Sequence, residues 1–275
     1  MAREASANIR AHYEIEKELA ARLRAAPAAD RTRLYSELYD ELFKRIPEHP
    51  QIIARATPDA RRTSVEYQVA LLRRFIGRHS SFLEVGAGDC ALTVRVANEV
   101  REVIAVDVSE APSAGIRVPL NFRLLISNGR NIPLPDETVD VAYSNQLMEH
   151  LHPDDALDQL RDVVRILKKG GVYVCVTPNR LSGPHDVSAD FDHVASGFHL
   201  REYTNEELHR YFREAGLSQI RAYIGARYSY FRFPLWGLVL LERVLRAAPF
   251  RIRRRMAKFP PIAKLLTVRL AATKL

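Results

Sequence analysis

The spacing of apolar residues along the chain predicts helices first and then strands that alternate with helices. Apolar side chains recur at helical intervals over residues 1–26, and similar patterns predict helices over residues 30–43 and 63–76. We therefore expect residues 1–78 to form an N-terminal helical cap. Two interpretations remain open: a lid over a ligand site, or packing against the edge of a sheet or a second copy of the chain.

From residue 79 onward, short runs of β-branched and aromatic residues take over. They predict strands at residues 81–86, 102–107, 122–126, 138–144, 171–177, 217–224 and 266–273. Helical patterns lie between them, at residues 90–99, 154–168 and 204–215. This alternation predicts an α/β domain over residues 79–275, with a mostly parallel sheet and helices on both faces. A basic, amphipathic insertion at about residues 226–263 precedes the last strand.

The stretch that follows the first predicted strand is typical of a nucleotide-like cofactor site. Gly86 and Gly88 allow a sharp turn and a close approach of the backbone to a ligand. In open α/β sheets, ligands bind at the carboxyl ends of strands. However, Gly86, Gly88 and Ala91, with Asp107 nineteen residues after Gly88, also satisfy the dinucleotide fingerprint. The turn alone therefore does not choose between cofactors.

Glu84, two residues before the turn, favours a cationic cofactor. It lies inside an otherwise apolar strand, and a buried carboxylate is costly unless it is paired. The amino group and sulfonium of S-adenosylmethionine could pair with it, whereas a pyrophosphate would be repelled. Further along, Asn128 follows the third predicted strand and could offer its amide to an adenine edge.

Four motifs, in order, resemble those of class I S-adenosylmethionine-dependent methyltransferases. They are Leu83-Glu-Val-Gly-Ala-Gly88, the Pro-rich stretch 132–140, Ser144-Asn-Gln-Leu-Met-Glu-His-Leu151, and Leu167-Lys-Lys-Gly-Gly171 with Thr177-Pro-Asn179. The likeness covers roughly residues 80–224. It implies a doubly wound sheet of seven strands, the last of them antiparallel, with an N-terminal helical addition and a helical insertion before the last strand. Two positions depart from the family: Cys90 replaces the usual third glycine, and Asn128 stands where many members have an acid.

The resemblance also implies a set of cofactor-binding residues for S-adenosylmethionine and its product S-adenosylhomocysteine. They are Glu84, Gly86, Ala87, Gly88, Asp107, Val108, Asn128, Gly129, Arg130 and Asn145. By this likeness, Glu84 and the two glycines of the turn would line the methionine end. Asp107 would hold the ribose, Asn128 and Gly129 would flank adenine, and Asn145 would lie near the sulfonium.

The loop after the fifth predicted strand is the expected acceptor site. Residues 183–199 contain three histidines and three aspartates, and we predict catalytic roles for His185, Asp186 and His193, with His150 as a further candidate. A divalent-metal site and a hydrogen-bonded structural loop are the alternatives. The spacing matches no zinc signature, so we predict no metal site.

Methyl transfer needs a general base only when the acceptor is protonated, as in an alcohol or a phenol. We expect transfer to an oxygen of a small or lipophilic metabolite. A cofactor-binding regulatory subunit without activity and a nicotinamide-dependent oxidoreductase are alternatives.

Positive charge is concentrated near the end of the sequence. The net charge is +8, but residues 227–275 carry twelve Lys or Arg and one acid, so the remaining residues are slightly acidic. Because this basic segment follows an apolar helix, residues 231–258 could contact an anionic membrane or simply pack within the fold. Nucleic-acid binding is disfavoured, since stacking aromatics are not interleaved with the basic run.

The chain shows no signal peptide and no apolar run of the roughly 20 residues that a membrane span requires. Its two cysteines, Cys90 and Cys175, fit a reducing compartment. We therefore expect a cytoplasmic protein with a peripheral membrane contact as a further possibility, and the N-terminal helices could also pair two copies into a homodimer.

Overall fold

The computed structural model describes residues 2–47, 58–109, 117–226 and 228–275, with side chains described from residue 8 onward. Its centre is one sheet. The strands are β1 Ser81–Val85, β2 Glu102–Asp107, β3 Phe122–Ile126, β4 Val139–Asn145, β5 Leu167–Thr177, β6 Leu217–Ala226, β7 Ser229–Phe233 and β8 Val268–Lys274. Their spatial order is β3-β2-β1-β4-β5-β8-β6-β7. The first five strands run parallel, and β8 lies antiparallel between β5 and β6. The predicted α/β fold is confirmed.

The prediction of seven strands was wrong, because the sheet has eight. The additional strand, β7, forms an antiparallel hairpin with β6 and begins inside the predicted insertion. Its sequence, Ser-Tyr-Phe-Arg-Phe, is rich in the aromatic residues that favour strands. Similarly, β5 begins at Leu167 rather than at residue 171, because Leu167 already pairs with Val139 before an irregularity in the register.

Nine helices occur within the described ranges. They are α1 Ala2–Ala25, α2 Ala28–Arg45, α3 Pro58–Leu72, α4 Ala91–Val96, α5 Pro153–Ile166, α6 Asn205–Glu214, α7 Leu235–Ala247, α8 Phe250–Ala257 and α9 Pro260–Leu266. None of the helices in these ranges combines the length and the apolar character needed to cross a bilayer.

The sheet is covered on both faces, as the alternation of side chains along its strands requires. Leu83 and Val85 of β1 belong to a core shared with α1, α2, α5 and α6. Phe82 belongs to the core on the other face, shared with α3 and α4. The three N-terminal helices are therefore divided between the two faces: α1 and α2 lie on one, and α3 lies on the other.

A buried ion pair fixes α2 against the start of α5. The guanidinium of Arg31 donates two hydrogen bonds of 2.7 Å to the carboxylate of Asp155, and both side chains are almost completely buried. Tyr35, one turn further along α2, donates to the same carboxylate and accepts from the backbone N–H of His152. These contacts hold α2 close to the carboxyl ends of β1, β2 and β4.

Candidate active site

A cavity of about 440 Å³ opens at the carboxyl ends of the parallel strands. This volume lies within the range of small-molecule and cofactor sites. Its wall comes from the ends of β1, β2 and β4, the loops after β2 and β3, and the helices α2 and α5. The cavity thus occupies the edge of the sheet where open α/β folds bind ligands.

The glycine turn after β1 forms one wall of the cavity. Gly86 and Gly88 both have positive φ angles, +74° and +53°. A Cβ at Gly86 would lie 3.0 Å from a methyl carbon of Leu147, so a side chain here would crowd that leucine as well as strain the backbone. The N–H of Gly86 donates to the carbonyl of Val106 at 2.8 Å, which closes the turn onto β2. Cys90, at the atypical third position, also has a positive φ and is buried.

Asp107, the last residue of β2, connects the glycine turn with the loop that follows β2. Its Oδ2 accepts from the N–H of Gly88 at 2.7 Å, and its Oδ1 accepts from the N–H of Val108 at 2.7 Å and of Ser109 at 3.3 Å. All four residues line the cavity. Since each carboxylate oxygen has two acceptor sites, Oδ2 of Asp107 can also accept a hydrogen bond from a ligand hydroxyl.

Glu84 lies behind the turn and not in the cavity wall. Strand alternation directs Val85 toward the cavity and Glu84 toward the opposite face of the sheet, where Thr93 of α4 donates a hydrogen bond to its carboxyl group. Burial raises the pKa of Glu84 to about 8. The buried carboxyl group expected from the sequence is present, but it is separated from the cavity by its own strand.

The loop after β3 contributes only part of the predicted adenine site. Gly129 lines the cavity, and its carbonyl accepts a hydrogen bond from Gln159 of α5, which also lines it. Asn128 instead uses its side-chain oxygen to hold its own turn, accepting from two backbone N–H groups that follow it. Arg130 pairs with Asp158. Asn128, Arg130 and Ala87 are absent from the cavity wall formed by the described residues.

The connection after β4 forms the other end of the cavity. Asn145 ends β4 and lines the cavity, as does His150 at the end of a short 3₁₀ turn. Nδ1 of His150 donates to the carbonyl of Phe198 at 2.9 Å, and the ring packs edge-on against Tyr39 of α2.

The three other predicted catalytic residues are not brought to this cavity. His185 contacts Glu202 and Ser182, and Asp186 accepts hydrogen bonds from the backbone of its own loop, including the N–H of Gly197 at 2.9 Å. His193 packs against Phe250 and borders a separate cavity of about 200 Å³. These contacts are those of a hydrogen-bonded loop, the alternative that the sequence left open.

Several residues of the site were not predicted. Tyr35, Tyr39 and Phe43 of α2 line the cavity, and their i, i+4, i+8 spacing was an aromatic stripe visible in the sequence. Glu149 is completely buried, and burial raises its pKa to about 7. His199 donates from Nδ1 to Glu202 at 2.8 Å.

Glu202 is held as a carboxylate by its histidine partners. Burial alone would raise the pKa of Glu202, but hydrogen bonds from His185 and His199 outweigh it and lower the pKa to about 2. A single buried acceptor thus joins His185 to His199 within the loop after β5, and the ring of His199 lies beside that of His150.

Comparison with known proteins finds methyltransferases. Residues 83–175 match a family model described as a methyltransferase domain. The chain is 35% identical over 158 residues to a probable S-adenosylmethionine-dependent methyltransferase of Mycolicibacterium smegmatis. That match covers 57% of this chain and 58% of the relative, so the chain spans less than two thirds of the relative's length.

Solved structures share the fold at low sequence identity. A methyltransferase of Thermotoga maritima described as a possible histamine N-methyltransferase has a TM-score of 0.56 and 18% identity, covering 85% of this chain and 98% of that one. A phosphoethanolamine N-methyltransferase of Haemonchus contortus, solved with phosphoethanolamine and S-adenosylhomocysteine, has a TM-score of 0.56 and 14% identity. It covers 90% of this chain and 50% of that one.

Proposed function

We propose that the chain, which resembles class I S-adenosylmethionine-dependent methyltransferases, transfers a methyl group from this cofactor to an oxygen of a small, partly apolar acceptor. One observation carries the proposal. The cavity that Asp107, the glycine turn and Asn145 line is continuous with the part that His150 lines. One cavity can therefore hold a cofactor and an acceptor side by side.

The residues of the cavity fit this cofactor. Gly86 leaves backbone surface where a side chain would crowd Leu147, and Oδ2 of Asp107 can accept from a ribose hydroxyl. Gly129 and Gln159 border the region proposed for adenine, and Asn145 the region proposed for the methionine portion. S-adenosylmethionine supplies a methyl group on a sulfonium that is already activated. The protein mainly has to align the two reactants, which can contribute roughly 7–11 kcal/mol.

The acceptor end supports a flat or apolar molecule that carries a hydroxyl group. Tyr39, whose ring packs against His150, and its neighbour Phe43 present aromatic surface there. His150 is the predicted catalytic residue that also lines this cavity, so it is our candidate for contact with the acceptor oxygen.

Calorimetry with the full chain tests the cofactor. We expect S-adenosylhomocysteine to bind with one site per chain and NAD to give no heat of binding. Binding of NAD alone would overturn the proposal in favour of an oxidoreductase. The catalytic part is tested by incubation with S-adenosylmethionine labelled in its methyl group and a fractionated small-molecule extract. Cofactor binding without labelled product in any fraction would support the regulatory alternative instead.

We also propose that the segment 231–258 rests on an anionic membrane surface. Trp236, Leu240 and Val244 follow one another at four-residue intervals on α7 and are 73%, 56% and 54% exposed. The opposite side of α7, with Leu238 and Leu245, is buried in the fold. An apolar stripe of this kind, next to a strongly basic segment, is typical of a helix that lies in the interface of anionic lipids.

Sedimentation with vesicles tests this second proposal. The chain should sediment with vesicles that contain phosphatidylserine at low salt, less so at high salt, and little with neutral vesicles. The double variant Trp236→Ser/Leu240→Ser should lose most of the binding. Leu120→Ser, which changes an exposed leucine before β3, should retain it. Equal sedimentation of all three proteins, or none at low salt, would refute the membrane contact.

A further inference from the structure

We propose that Glu149, His150 and His199 bind one divalent transition-metal ion directly behind the part of the cavity wall that His150 forms. One possible ligand atom from each residue lies within 4.8 Å of the other two. Two of the residues come from the connection after β4 and the third from the loop after β5. The ligands are therefore adjacent in space, although their sequence spacing matches no zinc signature.

The carboxyl group of Glu149 is incompletely satisfied. Its side chain is completely buried, and Oε2 accepts from the hydroxyl of Thr177 at 2.8 Å. The other oxygen, Oε1, has no hydrogen-bond partner among the described residues. A buried polar atom without a partner costs free energy, and in native structures it calls for a bound ion or water. A cation beside Oε1 would remove this cost.

Both imidazoles are oriented as metal ligands commonly are. Nδ1 of His150 donates to the carbonyl of Phe198, and Nδ1 of His199 donates to the carboxylate of Glu202. A proton fixed on Nδ1 makes Nε2 the coordinating nitrogen of a neutral ring. Metal-bound histidines typically donate their second N–H to a carboxylate or a backbone carbonyl in this way.

The carboxylate of Glu202, which accepts from His199, is also fixed in position. The backbone N–H of His185 donates to Glu202 at 2.7 Å, and Glu202 is 3% exposed. His185 therefore acts on His199 through Glu202, as a positioning residue. His185 does not line the cavity, but through Glu202 it would help to position a metal ligand.

The donor set indicates the kind of metal. Two imidazoles and one carboxylate suit Zn²⁺, Mn²⁺ or Fe²⁺ and leave coordination positions open, whereas Mg²⁺ and Ca²⁺ prefer oxygen ligands.

The consequence for catalysis rests on the proposed function. With an ion present, the contact proposed between His150 and the acceptor oxygen would be made through the ion, which would lower the pKa of the acceptor hydroxyl. The hydroxyl proton would pass to solvent, and the oxygen lone pair would form the C–O bond as the bond between methyl carbon and sulfur breaks.

Calorimetric titration of tag-free, chelator-treated protein with Zn²⁺ and Mn²⁺ tests the site without reference to activity. We expect a stoichiometry near one and, with Co²⁺, a visible absorption band of a coordinated ion. Glu149→Gln and His199→Ala should each weaken Zn²⁺ binding by at least roughly 10-fold. His79→Ala, which removes an exposed histidine far along the sequence from the ligands, should leave it unchanged.

Binding of S-adenosylhomocysteine shows in parallel that each variant is folded. Zn²⁺ binding that is absent from the wild type, or unaffected by Glu149→Gln in a variant that still binds S-adenosylhomocysteine, would overturn the metal site. A result that refutes the metal site does not refute the proposed methyl transfer. Conversely, a wild type that binds Zn²⁺ but not S-adenosylhomocysteine would refute the cofactor assignment and not the metal site.

Discussion

Replacing Glu84 with glutamine should stabilise the ligand-free protein, and the gain should grow with pH. Glu84 is buried in β1, where burial raises its pKa from the ordinary value of 4.5 to about 8. The folded state therefore holds this proton more tightly than the unfolded state does. Under these conditions the stability of the fold falls as pH rises from about 4.5 to about 8. Below that range the group is protonated in both states and has no effect.

The magnitude follows from the difference between the two pKa values. At about 1.4 kcal/mol for each pH unit, the full loss above pH 8 is roughly 5 kcal/mol. About 1 kcal/mol of it has developed at pH 5, and about 3 kcal/mol at pH 7. Glutamine stays neutral at every pH and keeps a carbonyl oxygen that can accept from Thr93. The variant should therefore escape most of this loss.

Urea unfolding of both proteins at pH 5, 6, 7 and 8 measures the effect. The variant should be more stable than the wild type by about 1 kcal/mol at pH 5 and by about 4 kcal/mol at pH 8. Glu214→Gln, at the exposed end of α6, should show no difference that grows with pH. A constant difference between wild type and Glu84→Gln across this range would refute the reasoning, because it would mean that Glu84 binds its proton equally in both states.

Three further substitutions test other parts of the structure. Asp107→Ala removes a charged acceptor and should weaken the binding of S-adenosylhomocysteine, measured by calorimetry, about 10- to 100-fold. Asp59→Ala, which removes an exposed carboxylate, should leave the affinity unchanged. Unchanged affinity in Asp107→Ala would refute its role in binding the ribose. Gly86→Ala places a Cβ at a backbone position with positive φ, beside a methyl group of Leu147. It should therefore lower the free energy of unfolding by at least about 1–2 kcal/mol. Equal stability of the two proteins would mean that the turn relaxes. Arg31→Met removes the two short hydrogen bonds to the buried Asp155 and leaves it with Tyr35 and the more distant Arg130, so it should cost about 3 kcal/mol in urea unfolding. Stability should partly recover in Arg31→Met/Asp155→Leu, and a double variant no more stable than the single one would contradict this.

The parts of the structure that depend on residues close together in the sequence were predictable. The parallel strands follow from short apolar runs between helical patterns. The cofactor end of the cavity follows from Gly86 and Gly88, whose positive φ angles require glycine, and from Asp107 at the end of the next strand. Each of these signals lies within about one strand–turn–helix unit, so no long-range contact was needed to read it.

The acceptor end could not be predicted in the same way. His185, His193 and His199 lie in one polar loop, and the sequence does not distinguish among them. Only the packing of that loop shows that His199 lies against His150, at a ring separation of 4.9 Å, while His193 packs against a phenylalanine of α8. The position of Glu84 depends on packing in the same way. Strand alternation implies that Glu84 faces away from Val85, but the sequence does not say which of these two faces borders the cavity.

The two ends of the cavity also differ in where their residues lie along the chain. The glycine turn, Asp107 and Asn145 all fall within residues 83–175, the part that matches the methyltransferase family model. At the acceptor end, Glu149 and His150 also fall within it, whereas Tyr39 and Phe43 come from α2, before that region, and His199 comes from the loop beyond it. Similarity over the matched region therefore carries more information about the cofactor than about the acceptor. A relative that shares the turn and lacks the aromatic stripe of α2 would be expected to keep the cofactor and methylate a different molecule.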